Sequence, residues 1–264
     1  MMNVGSIGSF ARMLMSQLKH ELHMKYVGSV GGMYWTLVNP MMQVGMYVFL
    51  LSGVLQVNRG AAAQGPLEYA VFVLAGMVPW LAFHEGLTSS ATSIVRHAGI
   101  VKNVVFPLEL LPIAAVLASL TSLLVSLAAL CVLALSTGKP LGLSIMSLPV
   151  LILLQLTLTV GAGMALAVLT TFLRDLSQVL PVLLQLAMLA TPVLYAYQDM
   201  PSAMRRVTSF NPLYFVVDGY RQVFLFGGWP TWIGLAYAAA VSILLCIGGL
   251  MIFRRTKGYF EAVV

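Results

Sequence analysis

LLPIAAVLASLTSLLVSLAALCVLALS, Leu110–Ser136, holds no charged residue from end to end. As a helix rising 1.5 Å per residue it reaches about 40 Å, enough to cross a hydrocarbon core of roughly 30 Å. Further uncharged runs flank it. Residues 37–57 form a first span and residues 69–92 a second, interrupted by His84 and Glu85. Leu110–Ser136 is then the third, with Pro112 near its start, and 143–173 the fourth. Residues 176–198, bounded by Asp175 and Asp199, make the fifth, and 232–253 the sixth.

Composition agrees with this reading. Of the 264 residues, 60% are hydrophobic and 8% charged, and the mean hydropathy is +0.94. Eight acidic and fourteen basic side chains cannot clothe a soluble surface for a chain of this size. The expectation is an all-α membrane protein, a single transmembrane domain over residues 1–264 with six transmembrane helices. The net charge of +6 and pI near 9.5 do not point to nucleic acid. The bases lack interleaved aromatics and gather at the ends of the apolar runs, as membrane orientation requires. Cys131 and Cys246 lie inside apolar runs and outside any CxxC pattern, so they read as buried thiols. No cleavable signal peptide is visible in the first thirty residues.

Two segments are neither span nor solvated loop. Over 10–26, Leu14, Leu18, Leu22 and Tyr26 recur at four-residue steps, while Arg12, Ser16, Lys19, His20 and His23 fill the other face. That is an amphipathic helix too polar to cross, expected to lie in the membrane interface over residues 10–30. Residues 200–229 are apolar in patches but broken by prolines and charges. A re-entrant helical pair before the last span is the economical reading. With the N-terminus in the cytoplasm, Arg12, Lys19, Lys25, Arg96, Lys102, Arg174, Arg254, Arg255 and Lys257 fall inside. Arg59, Lys139, Arg205, Arg206 and Arg221 fall outside. Nine against five places both termini in the cytoplasm.

Catalytic patterns are missing. Ser136–Pro140 lacks the glycine and hydroxyl of a phosphate-binding loop, and there is no HExxH, GxSxG or paired-aspartate motif. Asp175, Asp199 and Asp218 are too scattered to seat a metal. His84-Glu85 is costly within a span. Either the helix reaches the interface early, so that Glu85 meets water or Arg96, or the pair makes a polar contact inside the bundle. Asn39, Gln43 and Tyr47 share one face of the first span. Gln178, Pro181, Gln185, Met188, Pro192 and Tyr195 share one face of the fifth. Such stripes either hydrogen-bond a neighbouring helix or line a passage.

Several short motifs occur in a telling order. Lys25-Tyr26 and Gly31-Gly32-Met33-Tyr34-Trp35-Thr36-Leu37-Val38-Asn39-Pro40 lead into the first span. Phe172-Leu173-Arg174-Asp175-Leu176 follows the fourth. Thr191-Pro192-Val193-Leu194-Tyr195, Phe210-Asn211-Pro212-Leu213-Tyr214 and Tyr220-Arg221 come later. Over nearly the whole chain this series resembles the permease subunit of type-2 ABC exporters, in the branch exporting O-antigen, capsular polysaccharide or teichoic acid. The resemblance implies a bacterial inner-membrane permease for lipid-linked polysaccharide that works as a homodimer with two copies of a cytoplasmic ABC ATPase. It implies no cofactor in this chain, ATP and Mg being bound by that partner. Residues 93–107 would be the coupling helix, with Arg96, His97, Lys102 and Asn103, joined by Arg12 and Lys19 of the interface helix, facing the ATPase. Tyr34, Trp35, Asn39, Gln43, Tyr47, Gln178, Gln185, Met188, Tyr195 and Tyr197 would line the pathway, since aromatics and neutral amides hold a sugar chain weakly enough for it to slide. Arg205, Arg206 or Arg221 would meet a pyrophosphate-type head group or else serve a structural salt bridge. An exporter of a small amphiphile and a membrane enzyme acting on polyprenyl-linked sugars are the alternatives.

Overall fold

The computed structural model describes residues 7–26, 31–49, 66–103, 106–138 and 142–263. The elements in order are α1 (Ile7–Tyr26), α2 (Trp35–Val48), α3 (Pro66–Arg96), α4 (Ala98–Asn103), α5 (Leu110–Ser136), α6 (Leu148–Phe172), α7 (Leu176–Ala190), α8 (Ser202–Thr208), α9 (Pro212–Phe226), α10 (Trp232–Thr256) and α11 (Phe260–Val263). No strand occurs among the described residues. The helices of α3, α5, α6 and α10 are long and apolar enough to cross a membrane. Large apolar side chains stand exposed along their outer faces, among them Leu124, Val132, Leu153, Ile233, Leu244 and Ile247. Water would make that surface costly, whereas lipid does not. This is a multi-pass helical membrane protein.

α3 is the centre of the bundle. It packs against α5, α6 and α9, and on its flanks against α2 and α7. Its apolar side chains Val71, Val73, Ala75, Met77, Val78, Trp80 and Ala91 are buried in the main core cluster. Pro79 sits inside the helix and withholds one N–H from its ladder. The Pro79 carbonyl accepts a hydrogen bond from Nε2 of Gln155 on α6 (2.9 Å), and the Tyr220 hydroxyl on α9 donates to Oε1 of Gln155 (3.3 Å). One buried amide thus fastens three helices where apolar packing alone sets no register.

Glycines set a close helix contact between α6 and α10. A methyl on Gly249 of α10 would overlap the Gly161 carbonyl of α6, and one on Gly161 would strike the backbone at Cys246. The two backbones touch because neither residue has a side chain there.

The ends of the bundle differ in charge. A second core cluster (Ile94, Val101, Leu111, Met164, Val168, Phe253, Phe260) joins the ends of α3, α6 and α10 to α4, α11 and the start of α5. Arg96, Lys102, Arg174, Arg254, Arg255 and Lys257 belong to this basic end. There Glu109 binds Lys257 (2.9 Å) and faces Arg254 (3.8 Å), tying the start of α5 to the end of α10. Burial opposes ionisation of Glu109, but the bond from Lys257, its own backbone N–H and the two positive charges outweigh it and hold the carboxyl below the usual range. α8 runs into α9 through a short turn in which the Ser209, Phe210 and Asn211 N–H groups donate to the carbonyls of Arg205, Val207 and Thr208.

Two expected segments differ from the simple apolar runs. The first continues beyond the described residues after Phe49, so only its α2 portion is seen. The fifth does not stay helical to residue 198. α7 stops at Ala190, about 22 Å long. Thr191 turns extended (φ −100°, ψ 131°), and Pro192 brings no N–H to continue the ladder. Residues 191–199 then run on without regular helix apart from one short turn at Tyr197–Asp199.

Candidate functional site

Irregular backbone at the level of transmembrane helices needs its carbonyls and amides satisfied by protein. The break after α7 meets that need with side chains from several elements. Thr208 of α8 donates to the Ala190 carbonyl (3.0 Å) and the Tyr195 hydroxyl donates to that of Leu189. Nδ2 of Asn211 donates to Oγ1 of Thr191 (2.9 Å), while Oδ1 of Asn211 caps α9 by accepting from the Leu213 N–H (3.0 Å). Arg221 of α9 reaches inward, its Nη1 and Nη2 donating to the carbonyls of Tyr195 (3.3 Å) and Val193 (2.5 Å). Its guanidinium lies 4.1 Å from the centre of the Phe72 ring on α3. The carbonyls and the ring face hold this dry cation, and the nearby Asp218 carboxylate on the same helix balances its charge. Gly76 completes the fit, because a methyl there would overlap the Val193 carbonyl. Three of the short motifs, 191–195, 210–214 and 220–221, therefore converge on one broken helix.

A cavity of about 790 Å³ opens beside this break, lined by Phe72, the 196–199 stretch and one face of α9. That face is a stripe at four-residue steps: Tyr214, Asp218, Gln222 and Phe226. The core-facing residues of the same helix, Leu213, Val216, Val217, Tyr220, Val223 and Phe224, are buried. Tyr197 stacks on Tyr214, their ring centres 5.0 Å apart.

A second cavity of about 720 Å³ lies nearer the basic end, among α1, α2, α3 and α5. Trp35, Asn39 and Gln43 of α2 line it, together with His84 and Glu85 of α3. Glu85 does not meet Arg96. Its carboxylate pairs with Lys25 at the end of α1, and Lys25 also donates to Ser122 of α5 (2.7 Å). Glu85 stands three turns, about 16 Å, before the end of α3, so α1 reaches well along the bundle. Arg96 pairs instead with Glu21 of α1 (3.6 Å), which also faces His97 (3.6 Å), and Gln17 reaches His97 as well (3.2 Å). The buried side of α1 is accordingly Ser9, Gln17 and Glu21, with Leu14, Leu18 and Leu22 half-buried beside them.

The residues expected to act fall into groups. Trp35, Asn39 and Gln43 share a cavity, Tyr34 is exposed, and the Tyr47 side chain is outside what is described. Gln178 and Gln185 are exposed on α7 beside Val182 and Leu189, whereas Met188 turns inward with Leu180 and Leu184. Tyr195 and Tyr197 belong to the broken segment. Arg205 is engaged with the Met200 carbonyl (2.9 Å), Arg206 is exposed, and Arg221 is buried. Arg12, Lys19 and Lys102 are exposed, Arg96 and His97 are tied to α1, and the Asn103 side chain is not described. Sequence reasoning missed Gln155; a lone amide in an uncharged span was the signal, since lipid tolerates one only when it is bonded. It also missed Asp218 and Gln222 as cavity-lining groups.

A multi-pass helical protein with a broken, side-chain-stitched helix and polar cavities among its spans has the makings of a transport subunit. The family model of the ABC-2 type transporter matches residues 15–225, and the chain belongs to that family. It is similar to the O-antigen export system permease protein RfbA of Myxococcus xanthus, 29% identical over 259 residues, covering 97% of each chain. Two O-antigen export system permease proteins of Klebsiella pneumoniae are 27% and 26% identical over 261 residues, with 98% of this chain and 97% of each relative covered.

Proposed function

We propose that this chain is the transmembrane permease of an ATP-driven exporter that moves lipid-linked polysaccharide across the bacterial cytoplasmic membrane. The carrying observation is the end-to-end similarity to permeases named for O-antigen export. On this reading the chain crosses six times, α2 beginning the first crossing and α7 with the 191–199 segment making the fifth. The α8–α9 hairpin is re-entrant from the outer side. The basic end and both termini face the cytoplasm, as the lysine and arginine bias favours. α1 lies at the inner interface, and α4 receives the push of a separate ABC ATPase, which binds ATP and Mg. Two copies of each subunit assemble.

The pathway runs at the seam between two copies. Both α2 and α7 keep exposed faces that mix apolar residues with neutral amides: Val38, Asn39, Met42, Gln43 and Met46 on one, Gln178, Val182, Gln185 and Leu189 on the other. A second copy covering these faces would enclose the amides and aromatics that let sugars slide. Arg206, exposed at the outer end, is the arginine available to a pyrophosphate-type head group, the other two being engaged with carbonyls. Reconstitution in vesicles with the partner ATPase tests the reading. Polymer should accumulate on the far side only with hydrolysable ATP. Export that persists without ATP overturns it.

A further inference from the structure

We infer that the cavity beside the broken helix is a saccharide-binding subsite within each copy of the chain, holding a sugar unit of the polymer as it leaves. The inference rests on the export reading above and adds to it a site away from the α2 and α7 faces.

The wall supplied by α9 alternates in chemistry at successive turns: a ring at Tyr214, a carboxylate at Asp218, a carboxamide at Gln222 and an exposed ring at Phe226. The Asp218 carboxylate interacts with the Arg221 guanidinium and with the Gln222 side chain one turn on, and both line the same cavity. Gln198 and Asp199 face them from the broken segment, both exposed. Amphipathic packing does not ask for this stripe, because the core-facing side of α9 is already complete without it. Polar groups on a helix at this depth are retained for a bonding partner. Nε of Arg221, a residue that lines the same cavity and is 5% exposed, has no hydrogen-bond partner among the described residues.

The lining selects among ligands. An anionic head group would meet two carboxylates, while the one cation already gives its Nη groups to backbone carbonyls. A metal ion would find only two carboxylates beside a guanidinium, and no group of three acidic, histidine or cysteine ligands exists among the described residues. An acyl chain would desolvate the carboxylates for no return. A neutral sugar fits. Carboxylate and amide oxygens accept from vicinal hydroxyls, amide and guanidinium N–H groups donate to hydroxyl or ring oxygens, and ring faces pack on the C–H faces of the sugar. The volume lies within the range of small-molecule pockets.

The test uses the permease–ATPase complex in lipid nanodiscs and saturation-transfer NMR. The probe is lipid-free polysaccharide released by mild acid from the envelope of the encoding cell, with inorganic pyrophosphate as competitor. Wild-type complex should transfer saturation to sugar ring protons, and pyrophosphate should not displace the signal. Asp218→Asn, which keeps the side chain's size and shape, and Gln222→Ala should each weaken binding about tenfold, as loss of one bond to a charged or well-placed polar group requires. Unchanged affinity in the double variant, displacement by pyrophosphate, or no sugar signal in a complex that exports polymer overturns the subsite alone. A wild-type complex that binds the sugar through Asp218 and Gln222 but exports nothing with ATP supports the subsite and removes the export reading.

Discussion

Replacing Arg221 by methionine isolates the device that holds the broken helix. The variant keeps most of the stem that crosses Phe72 but deletes the two bonds to the carbonyls of Val193 and Tyr195. Hydrogen bonds from a charged donor contribute about 1.5–3 kcal/mol each. Relief from keeping a guanidinium dry offsets part of that sum. The expected net loss is about 2–4 kcal/mol, with no discount for solvent because the residue is 5% exposed. Arg221→Lys should recover only part of it, since one ammonium cannot fork to carbonyls two residues apart. Gly76→Ala presses on the same Val193 carbonyl from the α3 side, so its cost combined with Arg221→Met should fall short of the sum of the two. Unfolding by SDS in mixed micelles measures the loss. Maleimide labelling of an Ala196→Cys variant, with Cys131 and Cys246 replaced by serine, reports opening of the segment. A loss under about 1 kcal/mol with unchanged labelling would refute the idea that this arginine replaces the missing helical bonds.

Three other expectations are independent of it. Gly249→Ala should cost about 1–3 kcal/mol by forcing α10 off α6, whereas Gly248→Ala, with nothing near its added methyl, should cost little; the same SDS titration compares them. Lys25 and Glu85 are both about a third exposed at most, so a double-mutant cycle of Lys25→Ala and Glu85→Gln should return a coupling of about 1 kcal/mol that shrinks at high salt. The depressed carboxyl of Glu109 contributes stability that is complete above the ordinary carboxylate range and is lost as pH falls through its lower folded value. Thermal stability of the wild type should therefore drop on acidification below roughly pH 4, and Glu109→Gln should flatten that part of the profile.

The long helices were legible because hydropathy is a sum over many residues and tolerates local exceptions. The run at Leu110–Ser136 appears with the same bounds, and α6 and α10 with ends shifted by a few residues. The fifth apolar run misled for a physical reason. Apolar side chains continue past Ala190, but backbone geometry at Thr191-Pro192 decides where the helix stops, and composition does not register an absent N–H. Pairings were harder still. Arg96 is the base closest in sequence to Glu85, yet Lys25, sixty positions upstream, is the partner, since helix packing and not chain proximity brings charges together. In the same way the stripe on α9 was hidden among prolines and arginines until the core-facing side of that helix was known. The motifs at 191–195, 210–214 and 220–221 were visible one by one. Their meeting at a single break was not.

The central position of α3 also bears on how the protein is made. Its most apolar stretch is less apolar than those of α5, α6 and α10, and it is the most fully buried of the four. The helix least suited to lipid is the one the finished fold shields most. Yet α3 leaves the ribosome before α5, α6, α9 and α10 exist to cover it. While those helices are being synthesised, Glu85 already has a partner in the chain, Lys25 of α1. The ion pair that lines the cavity beside α1 in the mature protein is thereby also a long-range contact open to the growing chain before α5 exists.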